Sequence, residues 1–314
     1  FRQMQTEEEM DSAAFAGAKE ELRRRLNDLN NELNRAMVLR YLDAPIKEEV
    51  FRKWCESYQP FHWFVDFYGI MNSGGFDVII GNPPYVEYSQ IKRQYSISDR
   101  EYSTFSCGNL YAYVVERSTT LSREMGLVGV IIPVASVCTD GYQPLQQILT
   151  SNGKVVFSSY NDRPGKLFDG LEHIRLSIIL WEKHSGKSLS IASTKYNKWM
   201  SVFRPLLFET LQFMQSNHRP PSGSLPKIGA EIENQILQKY LQTKRSLETY
   251  TQKSGSHNIY YTRKLSGFVQ ILNFIPAMEE NGQKREPSEL KMIPFGQESN
   301  RDVFLALLNS NLFY

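Results

Sequence analysis

Apolar side chains recur at helical spacing through the first part of the chain. Charged residues separate them, and they stand three or four positions apart at Leu22, Leu26, Leu29, Leu33 and Met37. A period of about 3.6 residues is typical of a helix with one buried face. We therefore predict helix from about residue 7 to residue 54.

The pattern changes after residue 60, where short apolar runs alternate with helical segments. Strands are predicted at 76–80, 126–133, 155–157 and 176–181, and helices at 110–125 and 145–150. The run at 126–133 is almost continuously apolar, which is typical of a strand buried on both faces. Strands that alternate with helices predict an α/β domain with a mostly parallel sheet.

A stretch rich in Pro, Gly and Ser at 216–224 is the best candidate for a linker. A helix at 231–240 and a strand at 259–261 follow it and indicate a second, smaller domain of mixed type. We predict a helical segment at 1–60, an α/β core at 61–218 and a second domain at 225–314.

Composition narrows the class of protein only slightly. The chain has 314 residues, 41% of them hydrophobic and 22% charged, which suits a globular protein of two domains. Its net charge of +2 neither requires nor excludes nucleic acid. Three widely spaced cysteines, with no HxxxH pair among the histidines, predict no metal site and a reducing cytosol. No apolar stretch reaches the roughly 20 residues that span a bilayer, so we expect no membrane association.

The most informative stretch is Gly81-Asn82-Pro83-Pro84-Tyr85, directly after the first predicted strand. An exocyclic amine needs hydrogen-bond acceptors, which the Asn82 side-chain oxygen and a proline carbonyl can supply. The prolines fix φ, so these carbonyls are aimed in advance. The Tyr85 ring offers a stacking surface for a planar substrate.

This stretch resembles motif IV, (N/D)PP(Y/F/W), of the S-adenosylmethionine-dependent amino methyltransferases. Residues 108–116 look like motif V, 126–133 like motif VI, and 167–180 like motifs VII and VIII. This order, followed by a target-recognition domain, resembles the gamma-class N6-adenine DNA methyltransferases. The aromatic-rich element at 61–67, before Gly74-Gly75, is similar to the type IIG restriction-modification enzymes and related phage-exclusion methylases. So are the C-terminal stretches at 295–296 and 308–314. The resemblance covers most of residues 61–314, and motif IV is its specific part.

The resemblance implies a fold and a set of functional residues. The fold is the C-terminal part of a Rossmann-like methyltransferase sheet, preceded by a helical segment and followed by a mixed α+β target-recognition domain. The activity is site-specific adenine methylation of double-stranded DNA in a bacterial or archaeal cytoplasm. The expected catalytic residues are Asn82, Pro83, Pro84 and Tyr85. Phe168 is expected to pack against the flipped base. The expected cofactor contacts are Asn82, Pro84, Leu110 and Val114.

DNA contacts are expected from the second domain. Its basic residues Lys253, His257, Arg263 and Lys264 interleave with tyrosines. Such a mixture suits phosphate and base-edge contacts.

One part of the family pattern is absent from the sequence. Motif I, a Phe-x-Gly-x-Gly turn followed by an acidic residue for the ribose, does not occur. We expect that part upstream of Phe1, together with any endonuclease domain of the same polypeptide. The chain by itself is then expected to be inactive and to bind S-adenosylmethionine poorly.

Two alternatives stay open at this point. Another planar amine could be the target, such as cytosine N4, an RNA guanine or a protein glutamine. The chain could also be a non-catalytic DNA-recognition subunit that has kept an old pocket.

Overall fold

The computed structural model describes most of the chain. The described residues are 12–42, 47–94, 97, 99–170, 173–186, 190–220, 222–243, 245–262, 271–280, 282–285, 287 and 290–310. They form two compact units, Phe1–Leu237 and Gln238–Tyr314. The predicted division at 1–60, 61–218 and 225–314 stays a prediction.

In the described part of the chain, the first unit contains nine α-helices and six strands, besides short 3-10 helices. In order they are α1 (Ser12–Leu42), α2 (Glu48–Tyr58), α3 (Trp63–Asp66), α4 (Tyr68–Asn72), β1 (Phe76–Gly81), α5 (Tyr88–Ile91), α6 (Leu110–Leu121), β2 (Ser122–Pro133), α7 (Ala135–Cys138), α8 (Gln143–Ser151), β3 (Gly153–Tyr160), β4 (Leu176–Lys183), β5 (Ser190–Asn197), β6 (Met214–Ser216) and α9 (Glu231–Gln242), which runs into the second unit.

The N-terminal helical region is two helices rather than one. Lys47 is extended before α2, and Gln59 ends α2 in the left-handed conformation (φ 44°), one residue before Pro60. Arg35 of α1 forms a 2.7 Å ion pair with Glu48, and its guanidinium lies 4.3 Å from the ring centre of Phe51. The predicted helical structure over about 7–54 is confirmed in type, but it is divided at Lys47 and its second helix continues to Tyr58.

The sheet has the order β1-β2-β4-β3-β5-β6. β1 is parallel to β2 and β3 is parallel to β5, whereas β4 is antiparallel to both its neighbours and β6 is antiparallel to β5. The fold is α/β as predicted, but the sheet is mixed rather than mostly parallel. Parallel neighbours need a crossover connection, usually a helix, and the segment between β3 and β4 contains no helix in its described residues.

The main core lies on one face of the sheet, beneath α6 and α8. Its largest fully buried side chains include Trp181, whose indole Nε1–H donates to the Leu149 carbonyl at 2.9 Å. Val128 and Val130 of β2 are buried in it, but Leu127 is 48% exposed. The prediction that this strand is buried on both faces was wrong, because its alternate side chains reach a more open face.

The junction between α6 and β2 also differs from the prediction of a helix over 110–125. The helix ends at Leu121, and Ser122 already has extended geometry. Lys183 of β4 donates from its ammonium to the carbonyl oxygens of Thr119 (3.2 Å) and Ser122 (2.7 Å). These carbonyls have lost their helical partners, so a residue distant in sequence satisfies the end of the helix.

The segment predicted as a linker packs against the first unit. Arg219 donates to the Thr150 hydroxyl at 2.7 Å. Leu225 is 1% exposed, and its N–H donates to the Val137 carbonyl at 2.8 Å. These contacts hold the segment to α7 and α8, so it is not a free linker.

The second unit has mixed α+β structure. Its strands and helix are β7 (His257–Thr262), β8 (Ile271–Leu272), β9 (Met278–Glu280), β10 (Gln283–Arg285), β11 (Leu290–Phe295) and α10 (Glu298–Leu308). An antiparallel sheet of order β11-β7-β8 packs through Ile259, Ile271 and Phe295 against Leu308 of α10. β9 and β10 form a separate antiparallel pair.

Candidate active site

The Asn-Pro-Pro-Tyr segment is an irregular loop at the carboxyl end of β1. Immediately after it, the chain is tied to the start of α6 by backbone hydrogen bonds. Leu110 N–H donates to the Val86 carbonyl at 3.0 Å, and Tyr88 N–H donates to the Gly108 carbonyl at 2.9 Å. The structure therefore brings together the two segments that were predicted, by resemblance, to be motifs IV and V.

The start of α6 follows from its own residues. Gly108 has φ 64°, a conformation that glycine adopts without strain. Asn109 caps the helix, with its side-chain oxygen accepting a 3.5 Å hydrogen bond from the Tyr111 N–H.

Within the loop, alternate residues differ in exposure. Asn82 and Pro84 are exposed, Pro83 is buried, and Tyr85 is half-buried. β1 is an edge strand of the described sheet, so the loop follows a strand with one open side. The Asn82 amide is consequently accessible to a ligand.

Tyr85 is anchored at both its ring and its hydroxyl. The ring packs edge-to-face on Tyr111, with 6.2 Å between ring centres. Its hydroxyl lies 2.7 Å from Asn82 Oδ1 and 2.9 Å from the Ile131 carbonyl oxygen of β2. Burial raises the pKa of the Tyr85 phenol above its ordinary value of 10.0, so the hydroxyl keeps its hydrogen at neutral pH.

A largely apolar groove of about 680 Å³ runs beside the loop, between β1 and α6. We call it the β1 groove. Three of the four predicted cofactor residues line it: Pro84, Leu110 and Val114. Asn82, the fourth, is not among its lining residues.

Sequence reasoning missed two strand residues that also line this groove. Val78 and Ile80 of β1 are 60% and 85% exposed. Their two-residue spacing, which puts them on one side of the strand, was the available signal. An apolar pair exposed on an edge strand is a typical feature of a surface that receives a ligand or a partner.

Phe168 lies in the loop between β3 and β4. It is half-buried and packs against a second cluster of buried residues, formed by Tyr160, Leu167, Leu176, Trp199 and Leu207. Tyr85 packs against this same cluster. The two predicted base-contact residues therefore border one apolar cluster.

The predicted DNA-contact residues belong to the second unit. Lys253 is exposed in the loop before β7, and His257 is half-buried at the start of β7, opposite Phe295 of β11. Arg263 and Lys264 lie outside the described residues.

The described residues were found to lack two kinds of feature, a metal cluster and a membrane-spanning helix. Among the described residues, no group of three or more His, Cys, Asp or Glu side chains could hold a metal ion. None of the described helices combines the length and apolarity needed to cross a bilayer.

The fold and the loop define an α/β protein with a candidate ligand site at the carboxyl end of a strand. Residues 10–162 match the family model described as Eco57I restriction-modification methylase. A type II restriction enzyme and methyltransferase assigned in Methanocaldococcus jannaschii is 27% identical over 266 residues, covering 81% of this chain and 22% of that relative. The type II restriction enzyme and methyltransferase RM.Eco57I of Escherichia coli is 32% identical over 82 residues, covering 24% of this chain and 8% of that relative.

Among solved structures, a nuclease-deletion mutant of the Type ISP restriction-modification enzyme LlaGI, in complex with a DNA substrate mimic, is similar with a TM-score of 0.42 and 12% identity. That match covers 66% of this chain and 20% of that one. The family model and both relatives carry the names of restriction-modification methyltransferases. The chain aligns with only about a fifth of the length of the Methanocaldococcus relative.

Proposed function

We propose that this chain contributes the target-base part of a site-specific DNA adenine-N6 methyltransferase within a restriction-modification or phage-defence enzyme. The observation that carries the proposal is the exposed Asn82 amide in a proline-stiffened loop at the end of β1, tied by backbone hydrogen bonds to the start of α6. The matches to restriction-modification methylases over residues 10–162 support the same reading.

The target amine is the group that this loop would bind. Adenine must leave the duplex stack to reach it, at a cost of a few kcal/mol. The Asn82 side-chain oxygen and a proline carbonyl accept the two amine hydrogens, which increases electron density on the nitrogen. The ring of Tyr85 and the ring of Phe168 supply apolar surface for the base. No strong general base is needed, because the fixed acceptors prepare the nucleophile. The nitrogen would take the methyl group from the sulfonium, the thioether would leave with the electron pair of the broken bond, and the extra proton of the methylated amine would pass to water.

S-adenosylmethionine supplies the methyl group when it is bound. The β1 groove suits the adenine ring of this molecule, since Leu110, Val114 and Pro84 give it apolar walls. None of the described lining residues carries a carboxylate that could hold the ribose. We infer that the chain provides one wall of the cofactor site, and that motif I in a longer polypeptide provides the other.

Double-stranded DNA is the proposed partner. Lys253, His257, Arg263 and Lys264 of the second unit are the proposed contacts, through phosphates and base edges. An endonuclease domain in the same polypeptide is part of this proposal, because the matched relatives are named as restriction enzymes as well as methyltransferases.

The test compares three versions of the full protein that contains this sequence: unchanged, Asn82→Ala, and Asn31→Ala. Asn31 is an exposed amide on α1 and serves as the matched control. Each is expressed in cells that lack adenine and cytosine methylation, and modified bases are located by sequencing native DNA. DNA affinity is measured in parallel by fluorescence anisotropy.

We expect N6-methyladenine at one sequence motif with the unchanged protein and with Asn31→Ala. Asn82→Ala should lower the methylation rate by about 10² or more, as loss of a preorganised polar group does in other enzymes, and leave DNA affinity nearly unchanged. Methylcytosine would overturn the choice of base. Absence of methylation by the unchanged protein would favour a non-catalytic subunit, and loss of DNA binding by Asn82→Ala would give Asn82 a structural role.

A further inference from the structure

The Tyr85 hydroxyl has two neighbours and one hydrogen. Asn82 Oδ1 lies 2.7 Å from it and the Ile131 carbonyl oxygen lies 2.9 Å from it. A backbone carbonyl can only accept a hydrogen bond, whereas a primary amide can accept with its oxygen or donate with its nitrogen. The single hydrogen must therefore be assigned to one of the two neighbours.

The backbone around Ile131 favours donation to its carbonyl. The β1–β2 ladder ends at the pair Gly81–Val130, one residue before Ile131, so the Tyr85 hydroxyl reaches the Ile131 carbonyl just beyond that ladder, while Ile131 is paired with Ile178 of β4 in the ladder on the other side of β2. Ile131 is half-buried, while Asn82 is exposed to water. A shielded carbonyl without a donor is costly, but an exposed amide can exchange a lost partner for water.

The amide of Asn82 then has one satisfactory orientation. The oxygen and nitrogen ends of an amide have nearly the same shape, so the position 2.7 Å from the hydroxyl can hold either of them. With the phenolic hydrogen on the Ile131 carbonyl, the phenol oxygen can only accept. In the structure Oδ1 stands beside the hydroxyl as an acceptor; turning the amide over would let its nitrogen donate to the phenol oxygen and direct Oδ1 outward.

We propose that Tyr85 is a positioning residue, which through its hydroxyl holds the Asn82 amide with its oxygen directed at the target amine. This inference rests on the proposed function for its consequence in the reaction, but the hydrogen bond itself does not. Without the hydroxyl, the amide can turn over and present its own hydrogens to those of the amine. To accept a hydrogen bond from the target amine, the Asn82 side-chain oxygen must be directed outward.

The first experiment observes the hydrogen bond in this chain directly. The Asn82 side-chain NH₂ signals are assigned in a ¹⁵N-labelled sample by their loss in Asn82→Ala. We expect a nuclear Overhauser effect between these amide protons and the ring protons of Tyr85, and a change in their chemical shift in Tyr85→Phe. Tyr196→Phe is the matched control, since the Tyr196 hydroxyl donates to the Asn161 amide oxygen at 3.1 Å.

The two orientations of the amide give different results even if Tyr85→Phe does not fold. If Oδ1 faces the hydroxyl, the amide protons lie farther from the Tyr85 ring, and in the unchanged chain their Overhauser effect to the ring protons is weak or absent. That result overturns the inference. So does an Asn82 signal that is the same in the unchanged chain and in a folded Tyr85→Phe.

The second experiment measures the role in the reaction. In the full protein we expect Tyr85→Phe to lower kcat about three- to tenfold, the equivalent of one ordinary hydrogen bond, with unchanged KM for DNA and for S-adenosylmethionine. A chemical-shift change with an unchanged kcat overturns the positioning role. If the unchanged protein does not methylate, the proposed function fails, and the amide signals still decide the orientation of Asn82.

Discussion

The carboxylate of Glu116 accepts a 2.6 Å hydrogen bond from the hydroxyl of Thr104 and a 2.9 Å hydrogen bond from its backbone N–H. The other carboxylate oxygen accepts two hydrogen bonds from Ser103, at 2.9 and 3.0 Å. One side chain of α6 thus holds the loop that precedes this helix. The same loop carries Tyr102, which lines the β1 groove.

Glu116 should make stability depend on pH. Burial alone would raise its pKa, but the four hydrogen bonds outweigh burial and hold the pKa below the ordinary value of 4.5. A carboxyl group with a lowered pKa stabilises the folded state above its unfolded pKa, and this stabilisation is lost as the pH falls through the folded pKa. The difference in Tm between the unchanged chain and Glu116→Gln should therefore be largest at neutral pH and shrink below about pH 4.5.

Thermal unfolding followed by circular dichroism from pH 7 to pH 3 checks this expectation. Glu20→Gln, at an exposed position of α1, is the control and should show little difference from the unchanged chain at any pH. A Tm difference for Glu116→Gln that stays constant across this range would contradict the prediction.

Gly75 should tolerate no side chain. It has φ +121°, and a Cβ there would collide with the Leu121 carbonyl oxygen at the end of α6. We expect Gly75→Ala to lower the free energy of unfolding by about 2–3 kcal/mol, measured by urea denaturation. Gly141→Ala is the control, because a Cβ at Gly141 meets nothing within 4 Å. Equal denaturation midpoints for the two variants would refute this account of the turn into β1.

Replacing Lys183 should lower the free energy of unfolding more than replacing a lysine in a surface ion pair. Replacing it with Met removes a charged donor from the carbonyls of Thr119 and Ser122, and we expect a loss of about 1.5–3 kcal/mol. Lys154→Met breaks a 3.1 Å ion pair with Glu182, in which the Lys154 side chain is 44% exposed, and should cost at most about 1 kcal/mol. Urea denaturation of both variants checks the order, and a larger loss for Lys154→Met would count against the capping role.

The 314-residue chain should bind S-adenosylmethionine weakly. The β1 groove offers apolar walls, but its described lining residues include no carboxylate for the ribose. Isothermal titration should detect no binding with a micromolar Kd for this chain, and tighter binding for the full protein that contains it. A micromolar Kd for the chain itself would mean that it holds a complete cofactor site.

Local patterns were sufficient for the features that depend on neighbouring residues. The strand at 76–80 and the start of a helix at Leu110 are confirmed as β1 and α6. In both places the signal is short-range: an apolar run before a Gly-Asn-Pro-Pro turn, and an Asn109 cap after Gly108. The roles predicted for Asn82, Pro83, Pro84 and Tyr85 stay predictions.

Distant contacts decided the features that the sequence predicted wrongly. Lys183 of β4 donates to the Thr119 carbonyl at the end of α6, and Arg219 of the segment at 216–224 donates to Thr150 of α8. Whether β4 runs parallel or antiparallel is set by its neighbours in the sheet, β2 and β3. The residues in each of these contacts are too far apart in sequence for a local hydrophobic pattern to reveal the contact.

By itself, the sequence determined the α/β class and placed the Asn-Pro-Pro-Tyr loop at the end of a strand, because alternating apolar runs and proline geometry act over a few residues. The tertiary structure decided the mixed sheet, the β1 groove and the anchoring of Tyr85 to Ile131. Each of these requires side chains or backbone groups separated by tens of residues to meet, and such meetings depend on how the whole unit packs.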